Sequence, residues 1–87
     1  MNADREQLLN DKYAFEEAMA ARIAANLRAR RQRDGLTIGA LAERTGIQYH
    51  TIHNWEMGCA VPSVPKLFWL CRAAGWKVGE IVGGDKT

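Results

Sequence analysis

Gln48, Tyr49, His50, His53 and Asn54 place hydrogen-bonding side chains on the outward side of one short segment and leave it nearly uncharged. An asparagine can pair bidentately with adenine, a histidine can donate to guanine N7 or O6, and a tyrosine can touch a phosphate or pack on a thymine methyl. A face of this composition suits reading base edges better than mere solvation of a helix. The plainer alternative is a set of exposed polar residues with no ligand. His50 and His53 stand three residues apart and could form half of a metal site. No third and fourth ligand follows at a compatible spacing, so neither a metal nor any other cofactor is expected.

These side chains need an element to carry them and a second one to brace it. The stretch from Leu36 to Gly58, LTIGALAERTGIQYHTIHNWEMG, has small, apolar and turn residues where two short helices must cross closely. Thr37 can cap a first helix over about 38–45, with Leu41 facing inward and the small Ala42 beside it admitting a neighbouring helix. Gly46 can take the left-handed conformation that ends that helix. Ile47, Ile52 and Trp55 then form the inward stripe of a second helix from about Gln48 to Glu56. This is the pattern of a helix-turn-helix over about 37–56.

Upstream, Phe15, Met19, Ile23 and Leu27 recur every four residues with alanines between them, which predicts a helix from Asp11 to Arg33, closed by Asp34-Gly35. Residues 1 to about 10 show little periodicity and predict only a partial helix. The domain is therefore expected over 15–82, after a partly helical extension over 1–14. Met57 to Pro62 reads as a loop. Ser63 caps a fourth helix that tolerates Pro65 in its first turn and reaches Ala74, with Val64, Leu67, Leu70, Cys71 and Ala74 as its inward face. Gly75 ends it, Trp76, Val78 and Ile81 suggest a short fifth helix, and 83–87 form a loose, flexible tail.

With 87 residues there is room for one domain with one small core, and 47% hydrophobic against 25% charged residues is ordinary for a globular protein. No apolar run approaches a membrane span, and the polar, acidic start MNADREQLLNDKYAF lacks the layout of a secretory signal. A cytoplasmic location is expected, with Cys59 and Cys71 as free thiols. The net charge of +2 conceals an asymmetry: residues 1–20 carry two basic and five acidic groups, whereas residues 21–35 carry five arginines against Asp34. A basic segment beside a helix-turn-helix is what attraction to a phosphate backbone requires, although arginines can equally form a solvated helix face. No Ser/His/Asp pattern, phosphate-binding glycine loop or apolar carboxylate pair points to an enzyme.

From Leu27 to Ile81 the chain resembles the Cro/C1-type, lambda-repressor-like helix-turn-helix family. The resemblance rests on LRARR from Leu27, GLT from Gly35, LAERTGI from Leu41, TIHNWEMG from Thr51 and VPS from Val61. It implies an all-α, five-helix DNA-binding domain, here with an extended N-terminal helix, acting as a small homodimeric repressor on an inverted-repeat operator of double-stranded DNA in a bacterium, phage or mobile element. By this resemblance Gln48, Tyr49, His50, His53 and Asn54 read bases, while Arg28, Arg31, Thr37 and Lys66 position phosphates. It also makes Trp55 a core residue and Glu56 the partner of a first-helix arginine, for which Arg31 is the candidate. The chain departs from the family pattern at Ile38, commonly Gln, and Met57, commonly Asn; both changes remove a polar group that would touch phosphate. The rival reading is thus a protein-binding helix-turn-helix, antiactivator or antitoxin-like, that sequesters another regulator. Trp69, off the inward stripe of the fourth helix, is expected at an interface with a second copy or another protein.

Overall fold

The computed structural model describes residues 2–83, which fold into five helices with no strand among the described residues. These are α1 (Asn2–Arg33), α2 (Ile38–Thr45), α3 (Tyr49–Glu56), α4 (Val64–Ala74) and α5 (Val78–Val82). The Thr37 hydroxyl accepts from the Ala40 N–H at 3.0 Å and starts α2. Gly46, at φ 75°, stops α2 and donates its own N–H to the Ala42 carbonyl; a side chain here would strain the backbone. Gln48 sits just outside α3, and its side chain makes no capping bond. Ser63 accepts from the Lys66 N–H and starts α4, whose first turn holds Pro65.

Leu27, Leu41, Ile52, Leu70 and Ile81 are fully enclosed, with Trp55 and Trp76 buried beside them. α1 packs on α3 and α5, and α2 packs on α3 and α4. Two apolar residues assigned inward positions lie elsewhere. Val64, the first residue of α4, is 68% exposed, because that helix turns its core-facing side inward only from Leu67. Phe15 is 66% exposed, because the core reaches no further along α1 than Met19. α1 also starts at Asn2, where the sequence predicts only a partial helix before Asp11. Gln7 bonds to Asp11 at 2.9 Å and Lys12 to Glu16 at 2.9 Å, each one turn apart, and Asp4 complements the positive end of the helix dipole. Of the expected loose tail, residues 84–87 lie outside the described residues.

Two polar clusters lock the helices together. Glu56 is 4% exposed and accepts from Arg31 Nε at 2.6 Å and Nη2 at 2.8 Å, while Arg31 Nη1 donates to the Leu36 carbonyl at 2.7 Å. Arg28 Nη2 adds a bond to the Glu56 carbonyl at 3.2 Å. At the opposite side of α1, the Asp34 carboxylate accepts from Trp76 Nε1 at 2.8 Å and from Arg30, whose guanidinium also lies 5.5 Å from the Trp76 ring centroid. Glu80 accepts from the Lys77 N–H at 2.9 Å and pairs with Arg30 Nε at 3.4 Å. On α4, Trp69 Nε1 donates to the Thr45 carbonyl at 2.6 Å, laying the indole over the turn between α2 and α3.

Removing one partner of a buried, bidentate pair strands the other charge. Glu56→Gln should therefore destabilise the fold by about 3 kcal/mol, read as a fall in melting temperature on the order of 10 °C or more. Trp69→Phe keeps an aromatic ring but loses the indole N–H and part of its packing, an effect of at least about 1 kcal/mol, measurable by urea unfolding. The hydrogen bond from Trp76, then that from Arg30, holds the Asp34 carboxyl below the usual carboxylate range. A depressed folded-state value contributes stability that is present above the unfolded-state value and lost as pH falls through the folded one. Asp34→Asn should flatten the decline in melting temperature below about pH 4, in melts recorded stepwise from neutral pH to pH ~2.

Candidate nucleic-acid interface

α3 buries Ile52, Trp55 and Glu56 and turns Tyr49, His50, His53 and Asn54 to solvent. No exposed side chain of α3 carries a formal charge, so discrimination by this face would rest on hydrogen-bond geometry. The Tyr49 and His53 rings, one turn apart, stack with centroids 6.4 Å apart and planes inclined by 10°. A helix with its side chains is about 10–12 Å across, close to the ~12 Å width of a B-DNA major groove. The Asn54 carbonyl accepts from the Cys59 N–H at 3.0 Å, turning the following loop back from the end of the helix.

The candidate phosphate ligands do not all gather at one place. Lys66 joins Gln48, Pro65 and Trp69 around a groove of about 420 Å³ at the N-terminal end of α3. Arg28 stands at the other end of α3, half-exposed, against the Glu56 carbonyl and the Met57 sulfur. Thr37 uses its hydroxyl oxygen to cap α2, yet the hydroxyl proton can still be donated outward. Arg31 makes the expected pair with Glu56 and is for that reason poorly placed as a phosphate ligand: its side chain is 12% exposed and each of its three nitrogens is bonded inside the domain.

Thr51 is a residue that the sequence reading passed over. It lies three positions after Gln48, on the same side of α3, and lines the groove with Gln48 and Lys66. Its spacing from Gln48 was the available signal. Trp69 is only half in solvent: its N–H is committed to Thr45, while the rest of the indole shares the outer side of α4 with exposed Val64 and Phe68.

Among the described residues no helix is long and apolar enough to cross a membrane, and no cluster of three or more His, Cys, Asp or Glu could hold a metal ion. Cys59 is exposed and Cys71 buried, both as free thiols; burial pushes the Cys71 thiol upward from its ordinary range. No curated protein matches the chain, and no solved structure does. A family model described as a helix-turn-helix domain matches residues 22–81, from the second half of α1 to α5, about two thirds of the sequence. With α2 and α3 crossing at Gly46 as that motif requires, the chain belongs to the helix-turn-helix domain family.

Proposed function

We propose that this protein is a sequence-specific transcriptional regulator, a small repressor of the Cro/C1 type, that lays α3 in the major groove of an inverted-repeat operator and binds it as a homodimer. The observation that carries the reading is the outward face of α3: Tyr49, His50, His53 and Asn54, with Gln48 at its start, held on a rigid helix by buried Ile52 and Trp55. Lys66 at one end of that helix can reach the phosphates that border the groove, and Thr37 can donate a hydroxyl. One short helix touches too few base pairs to define a genomic site, which is the reason for two copies on two half-sites about 34 Å apart.

The outer side of α4 supports a second reading. Val64, Phe68 and Trp69 are all exposed there, an apolar surface that suits a protein partner. Binding to random duplex DNA at low salt separates the two: a DNA-binding domain retains salt-dependent affinity, whereas a module that only sequesters a protein shows none.

Within the DNA-binding reading, His53→Ala or Asn54→Ala should weaken operator binding by about 1–3 kcal/mol and relax sequence preference, with non-specific affinity nearly intact. Lys66→Ala should weaken binding to every sequence and lower the salt slope by about one unit. Fluorescence anisotropy over a salt series, with an operator selected from random sequence, measures both. A sequence preference unchanged by the α3 substitutions would remove α3 from base reading.

A further inference from the structure

Residues 4–18 of α1 are exposed throughout, about 22 Å of helix with no core beneath it. A free helical stretch of that length is marginal in water, and its two side-chain pairs, Gln7–Asp11 and Lys12–Glu16, add only tenths of a kcal/mol each. Leu8, Leu9, Tyr13 and Phe15 lie bare on it. The segment is also the acidic part of the chain, whereas the part of α1 that the core covers is basic: residues 1–20 hold two basic and five acidic groups, residues 21–35 five arginines and one aspartate.

We infer that α1 pairs antiparallel with α1 of a second copy of this chain, across the face that carries Glu17 and Arg28. The inference rests on the dimeric reading above and names its surface. Parallel pairing would set acidic half on acidic half; antiparallel pairing sets each acidic half on the other copy's basic half, and a two-fold axis repeats the contact. Glu17 and Arg28 are eleven residues apart, three turns, so both lie on one side of α1. They border a groove of about 400 Å³ where α1 meets the end of α3, with Ala21, Ala24 and Ala25 between them and Met57 at its rim.

With the axis between residues 22 and 23, Glu17 of each copy meets Arg28 of the other, with the exposed Ala21 and Ala25 between them. Side chains of this size let the two helices approach closely. Arg28 is already steadied by the Glu56 carbonyl, with its side chain 49% exposed, so the pairing immobilises little that was free. Tyr13 continues the face toward the N-terminus, over the other copy's arginine-rich end.

Sedimentation equilibrium of the full chain tests this, with expected mass twice the 9.7 kDa of one copy. Glu17→Arg sets like charges together and should weaken dimerisation at least tenfold; Glu17→Arg/Arg28→Glu should recover it, because the two sites meet only between copies. Ala21→Glu, at an exposed position, should also give monomers that keep the near-UV signal of buried Trp55 and Trp76, and it does not depend on the hold of Arg28 on Glu56. A wild-type dimer that persists in both Glu17→Arg and Ala21→Glu overturns this interface and leaves the dimeric reading standing. A double variant as weak as Glu17→Arg, though folded, also overturns it. A wild-type monomer, both free and on DNA, overturns this interface and the dimeric reading together, while the α3 substitutions decide base reading separately.

Discussion

The buried carboxylate of Glu56 is the constraint on which the arrangement of helices depends. A charge removed from water must be met by an opposite charge and by donors for its oxygens, and Arg31 supplies both in one bidentate contact. The third nitrogen of Arg31 reaches the Leu36 carbonyl, so one guanidinium ties the end of α3 to α1 and to the chain entering α2. Apolar residues of equal volume could match such a pair in stability. What they could not supply is direction: two hydrogen bonds of fixed geometry set how α3 leaves the core, and hence which side chains face outward.

The remaining ties work outward from that pair. Trp69 closes α4 onto the last carbonyl of α2, and the Asp34, Arg30, Trp76 and Glu80 cluster closes the C-terminal segment onto α1. Asn26 adds bonds to the Ile81 and Gly83 carbonyls and secures α5. Ionic contacts thus concentrate where helices meet. α3 is left with one charged residue, Glu56, turned inward, and with an outward face able to discriminate by hydrogen bonding alone.

The helix-turn-helix was legible because its signals are local. A capping hydroxyl at Thr37, a left-handed glycine at Gly46 and an apolar stripe through Leu41, Ile52 and Trp55 each act within a few residues, and all lie where their spacing predicts. Periodicity said less about where the core ends. Phe15 continues the spacing of Met19, Ile23 and Leu27, but a repeat along a helix carries no information about whether anything packs against its far end. Long-range polar partners were mostly illegible for the same reason: Trp69 with Thr45, and Trp76 with Asp34, join residues 24 and 42 positions apart. The sequence allows Arg31 two roles, and only the structure shows that Glu56 and the Leu36 carbonyl between them engage all three of its nitrogens.

Ile38 and Met57 give the site its physical character. Ile38 is partly buried against the core, and Met57 lies exposed beside Arg28, so neither side chain offers a hydrogen-bond donor to a phosphate. On the DNA-binding reading, each copy therefore has few phosphate contacts, and because such contacts supply most non-specific affinity, one copy alone should hold DNA weakly. Joining two copies lets the second half-site bind at the high effective concentration set by the first. The fewer the phosphates each copy grips, the more operator binding depends on association of the chain with itself. An α1 whose two halves carry opposite charge would make that association electrostatic as well. Salt would then weaken the dimer and its grip on DNA together, giving operator binding a steeper salt dependence than the phosphate contacts of two copies could produce on their own.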